Sequence, residues 1–179
     1  MTHLSSAAWI AHDVGLAASI GGTLFGKSAL HPALNERLDD DQERMLVADA
    51  AWRKFGWLNL AAHGVFAATW FIGRGMLSGK EVTPLARKLT VIKDGLVVAS
   101  LISGVASVIL GRMLGKKTRE AGRTLSEREE QSIMTLRRAV GVAGLVNLIS
   151  TASIHGVTTQ LAMEGNKSGK FSLLSRILP

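Results

Sequence analysis

Four stretches of this 179-residue chain lack Asp, Glu, Lys and Arg almost entirely: residues 14–26 (with 7–11 just before them), 55–73, 95–111 and 139–163. A helix that crosses ~30 Å of hydrocarbon needs about 20 mostly apolar residues. The second and fourth stretches are long enough by themselves and the third with its flanks. The first is long enough only if His12 and Asp13 lie within the span. One such segment can be a buried core helix, but four at regular spacing predict an all-α integral membrane four-helix bundle. Residues 1–179 then form a single transmembrane domain.

Charge agrees with that reading once its distribution is considered. The chain carries 21 Lys+Arg against 14 Asp+Glu, a net charge of +7, and is 47% hydrophobic. Such a balance also suits nucleic-acid binders. Here, however, the charges fall in blocks between the apolar stretches, which makes the lipid bilayer the expected partner and argues against nucleic acid. The basic segment GRMLGKKTREAGR (111–123) has no interleaved aromatics, so it reads as an anchor to anionic lipid. The absence of cysteine excludes disulfides, thiolate catalysis and cysteine metal sites. GGTLFGKS (21–28) lacks the preceding strand that a phosphate-binding loop needs, and no serine elbow occurs. Residues 1–7 carry no Lys or Arg to serve a cleavable signal peptide. An enzymatic role is therefore not expected.

Helix starts are marked by capping residues. Asp40 with Glu43, and Ser126 with Glu129, have capping-box spacing, while Thr83 precedes Pro84. Helices are predicted near 5–30, 41–77, 84–115 and 127–163. The second and fourth, about 37 residues each, would be roughly 55 Å long. They should project from the bilayer at their N-terminal ends, where DQERMLVADAAWRK (41–54) and EREEQSIMTLRR (127–138) pack on each other. Thirteen Lys and Arg lie on the side of loops 31–40 and 116–126, and eight on the other side. Positive charge marks the cytoplasmic face. The expectation is a multi-pass protein of a bacterial inner membrane, with termini outside and those two loops in the cytoplasm. Trp9 and Trp70 would sit at the outer interface and Trp57 at the inner one. The tail FSLLSRILP (171–179) reads as a short interfacial turn or a frayed end.

Polar groups in a bilayer need partners, because each unsatisfied one costs several kcal/mol. The candidates are His12, Asp13, Asn59, His63, Asp94, Asn147, His155 and Gln160. Rise per residue places His12, Asp13 and His155 in the outer half and His63 near mid-membrane. His155 is expected to face other helices, where Asp13 or His12 satisfies it. Three further readings stay open. His12, His63 and His155 are candidate axial ligands of a b-type haem, or ligands of copper or another metal. Histidine and carboxylate together can line a transporter or proton path in which Asp13 titrates. Asp13, Asn59, Asn147 and Gln160 can instead be contacts within the chain, with other membrane subunits or with a second copy. Asp94, beside Lys93, reads as interfacial and self-compensating.

Small residues supply packing surfaces. Gly22-x-x-x-Gly26 lets helices approach closely, and Ala99, Ser103, Ser107 and Gly111 continue that pattern on the third helix. A faint internal repeat relates DVGLAAS (13–19) to DGLVVAS (94–100), and NLAAHGV (59–65) to NLISTASIHGV (147–157), as two parallel hairpins would.

The stretch HDVGLAASIGGTLFGKSALHPAL (12–34) resembles the first helix of small bacterial membrane proteins related to the copper-resistance CopD family. In those a histidine precedes a Gly-Gly-x-x-Phe step and then a proline near the helix end, matched here by His12, Gly21, Gly22, Phe25 and Pro32. The resemblance covers one helix of four. It implies a helical bundle connected with copper or haem at the outer side. The residues themselves point first to a small, non-enzymatic accessory subunit of the membrane.

Overall fold

The computed structural model describes residues 2–76, 83–120 and 126–167. These are helical almost throughout and contain no strand. The elements are α1 (Thr2–Phe25), a π-helical turn (Gly26–Leu30), α2 (His31–Arg37), α3 (Asp41–Met76), α4 (Pro84–Glu120) and α5 (Glu127–Lys167). The tail at 171–179 lies outside the described residues.

α3, α4 and α5 each start where a capping side chain is available. Asp40 Oδ1 accepts from the backbone N–H groups of Gln42 (2.7 Å) and Glu43 (3.1 Å). Thr83 Oγ1 accepts from Ala86 N–H at 3.1 Å. Ser126 donates from both its backbone N–H (2.9 Å) and its hydroxyl (2.6 Å) to Glu129 Oε2. Each cap satisfies or replaces bonds that a helix start would otherwise leave unmade.

Helix ends, that of α3 apart, depart from expectation. The first helix was expected to stop near residue 30, yet the chain stays helical to Arg37. Pro32 has no N–H to give and would clash in a regular helix interior. The turn before it widens instead, with His31 N–H bonding to Gly26 O, so the new segment starts with proline in its first turn. Likewise the helix from Pro84 runs to Glu120 rather than 115. Gly115 does not end it. The Asp49 carboxylate of α3 occupies the space a Cβ there would need, and Arg119 and Arg53 pair with that carboxylate.

α1 packs on α3 and α5, and α4 packs on the same two, so α1 and α4 stand on one diagonal. The α4–α5 joint is the most extensive and the α1–α5 joint the thinnest. Helices of this length are held by what their faces bury, and here the polarity of interior and exterior is inverted. The fully buried apolar core is one small cluster of Leu16, Phe66, Ala67, Val97 and Ile154. Around it polar side chains are buried in greater variety, among them His12, Asn59, His63, Lys93, Asn147 and Thr151. The outside carries Ile10, Leu58, Ile72, Val91, Ile102, Ile109, Val142 and Ile149, all more than half exposed. Three helices are long and apolar enough to cross a membrane: Asp41–Arg74, Pro84–Glu120 and Glu127–Glu164. α1 is not among them.

Candidate functional site

The buried polar groups form two layers separated by the apolar cluster. The first layer lies toward the end of the bundle where α1 begins and α5 finishes. Its centre is Lys93, 0% exposed. Lys93 Nζ donates to His12 Nε2 at 3.1 Å and lies 3.9 Å from the centre of the Trp70 ring. An ammonium has only donors, so His12 Nε2 accepts and the ring proton sits on Nδ1. That Nδ1–H points at Phe66 O (2.9 Å) and Thr69 Oγ1 (3.1 Å). Trp70 Nε1–H donates to Asp94 Oδ1 at 2.9 Å, and Arg74 pairs with the same carboxylate. The layer thus runs from a buried ammonium through an aromatic face to a partly exposed ion pair.

Lys93 is the residue that sequence reasoning missed. Grouping it with Asp94 as a self-compensating pair was incorrect, because neighbours on a helix point about 100° apart and do not face each other. Asp94 turns to Trp70 and Arg74 while Lys93 turns inward. The signal was present in the spacing, since Ala86, Lys93, Val97, Ser100 and Gly104 share one buried face of α4 at helical intervals.

The second layer lies deeper. His63 is 1% exposed and both ring nitrogens are engaged. Nδ1 lies 2.7 Å from Asn59 O, one turn back on α3, and Nε2 lies 2.7 Å from Asn147 Nδ2 on α5. The amide donates, so Nε2 accepts and Nδ1–H donates. Asn147 Nδ2 also donates to Ser100 O on α4 at 2.9 Å, which ties three helices at one point. Gly104 makes the arrangement possible, since a Cβ there would stand 3.1 Å from His63 Nε2 and 3.2 Å from Asn147 Nδ2.

Between the layers, Leu16, Phe66, Val97 and Ile154 are each 0% exposed, one from every long helix. The positions related by the internal repeat have matching places. Leu16 and Val97 are both in this apolar layer, Ser19 and Ser100 are both fully buried, and Asn59 and Asn147 are both buried. His12 and Lys93, which precede the repeated motif in each hairpin, touch each other across the bundle.

The remaining expected site residues separate into buried and exposed groups. Asn59 is buried, but its Oδ1 has no hydrogen-bond partner among the described residues, and neither has Ser19 Oγ. Asp13, His155 and Gln160 are exposed on the bundle exterior. His155 therefore does not face other helices as expected. It stands eight residues after Asn147, whereas His63 stands four after Asn59, and the extra turn rotates it by a further ~40° away from the interior. Asp13 and His155 still lie close enough to act electrostatically on His12. Gly22 and Gly26 face α3, where the Phe55 and Trp52 rings occupy the space a Cβ would need; the approach they permit is ring on backbone.

The three histidines do not fit a haem or metal centre. His12 and His63 have every ring nitrogen committed to protein groups, and His155 points outward. No group of three or more His, Asp or Glu side chains suited to a metal ion exists among the described residues. No family model, curated protein or solved structure matches this chain.

Proposed function

We propose that the chain is a four-span protein of the cell membrane with both termini outside and loops 31–40 and 116–126 in the cytoplasm. In this reading it serves as a small, non-enzymatic accessory subunit. The observation that carries it is the inverted polarity: an apolar exterior around a polar interior suits hydrocarbon as solvent and would leave a water-soluble bundle prone to aggregate. The aromatic positions agree. Trp57 is exposed about midway along α3 with the Arg112 guanidinium 4.7 Å from its ring centre, as in an interfacial anchor. The chemistry of the buried groups supports a structural role, because the histidines serve as hydrogen-bond hubs between helices.

A proton path is the second reading, favoured by the buried Lys93–His12 contact. The apolar layer between the two polar layers weighs against it.

The test begins with membranes washed in alkaline carbonate, followed by purification in mild detergent. The subunit reading expects the chain to stay in the washed membrane, and to elute as a particle containing more than one chain without a haem absorption band. Release by carbonate overturns the membrane assignment. A Soret band lost in His12→Ala overturns the structural role of the histidines.

A further inference from the structure

We propose that the outward face of α1 and α5 is the contact between two copies of this chain, with Asp13 of each copy meeting His155 of the partner subunit. The proposal rests on the membrane reading above.

Two observations lead to it. First, Asp13 and His155 are exposed, although both lie in apolar surroundings. Ile10 and Val14 flank Asp13 on the outside of α1, and Ile149 lies on the exterior of α5. Ionisable groups left facing hydrocarbon are costly and seek a partner. Neither side chain finds a hydrogen bond among the described residues; Asp13 acts only through space, on Lys93 and His12. Second, small residues on the same faces leave room for another helix. Ala17 and Gly21 are exposed on α1 one and two turns after Asp13, and Ala152 and Gly156 are exposed on α5 beside His155. A Cβ built at Gly21 or Gly156 would meet nothing within 4 Å. Small-x-x-x-small pairs with no partner inside the chain match surfaces on which membrane helices associate.

The chemistry selects a second copy. A two-fold axis along the membrane normal brings each surface point against a point at equal depth. Asp13 and His155 satisfy that condition, since Leu16, less than one turn on from Asp13, and Ile154, next to His155, belong to one core cluster. They are an acid and a base, so the face is complementary to itself: one rotation forms both Asp13–His155 pairs. The chain descends along α1 as it rises along α5, so Ala17 and Ala152 also share a level. The α1–α5 joint is the thinnest in the bundle, and a second copy laid across it would cover the seam.

The absence of cysteine gives a clean test. The double variant Ala17→Cys/Ala152→Cys is oxidised with copper phenanthroline in native membranes and resolved without reductant. The expected result is a covalent species of twice the chain mass, and no such species from Ile102→Cys, which is exposed on α4. A disulfide within one chain leaves the mass unchanged and is thereby distinguished. Alongside, Asp13→His and His155→Asp are each expected to reduce the detergent-solubilised dimer at least several-fold, while the double swap restores it. Carbonate-resistant protein that yields only monomer, equal cross-linking through Ile102→Cys, or cross-links to a different polypeptide overturns the proposal while leaving the membrane reading intact. Release by carbonate removes the membrane reading itself.

Discussion

At the scale of single residues, the hub formed by His63, Asn147 and Ser100 makes opposite demands on neighbouring glycines. A methyl at Gly104 would press on two nitrogens already held at 2.7 Å from each other. Gly104→Ala is therefore expected to destabilise by about 1–3 kcal/mol, as overpacking does. Gly64→Ala, with open space around it, should be neutral or stabilising by up to about 1 kcal/mol through helix propensity. Thermal unfolding in detergent compares the two directly. The orphaned hydroxyl gives a second contrast. Ser19→Ala removes a group that has no partner and should not lower Tm, whereas Asn147→Leu strands His63 Nε2 and should cost about 1–3 kcal/mol. A fall for Ser19→Ala matching that for Asn147→Leu would show that Ser19 does hold a partner. The identity of these polar residues was legible in the sequence because they interrupt apolar runs. Their pairing was not, because it depends on helix rotation: Lys93 points in and Asp94 out on a difference of one residue.

At the scale of elements, the starts of α3, α4 and α5 were readable, whereas among the ends only that of α3 was. A start is decided by a local side chain, and Asp40, Thr83 and Ser126 each sit where the caps form. Asp40→Ala should cost about 1 kcal/mol, the usual worth of such a cap, and Asp40→Asn should restore most of it. Ends were decided by contacts distant in sequence. Gly115 continues α4 because Asp49 of α3 lies against it, and the π-turn places His31 against Trp52. Trp52 Nε1–H donates to His31 Nε2 at 3.1 Å, which requires that nitrogen to be unprotonated. Burial, then Lys27 and Arg137, hold the His31 pKa below its ordinary value. A base whose pKa is lowered by folding binds more protons unfolded, so its contribution to stability is present above about pH 6.5 and fades as pH falls below that. The site is exposed, so the effect is small. Wild-type protein should lose slightly more Tm between pH 7.5 and 5.5 than His31→Gln; equal losses would remove His31 from the account.

At the scale of the whole molecule, the composition of the exterior bears on which solvent surrounds the bundle. The four long helices followed from the spacing of uncharged stretches, because hydrocarbon thickness fixes a length that sequence displays directly. Three of the four helices carry that signal in full, and α1, broken by His12 and Asp13, does not. Those same two residues explain why α1 can nevertheless lie inside the bundle: His12 is consumed by Lys93 and Phe66, which leaves Asp13 as the polar group on its outer face. If the apolar layer of Leu16, Phe66, Val97 and Ile154 is the seal it resembles, the two polar layers cannot exchange protons. Proteoliposomes holding the wild-type chain should then dissipate a pH gradient no faster than protein-free vesicles. Leu16→Ser, which places a hydroxyl one turn from His12 and one turn from Ser19, should raise that rate at least several-fold. A wild-type rate well above the lipid baseline, abolished by Lys93→Met, would instead make the buried ammonium part of a conduction path and displace the accessory-subunit reading.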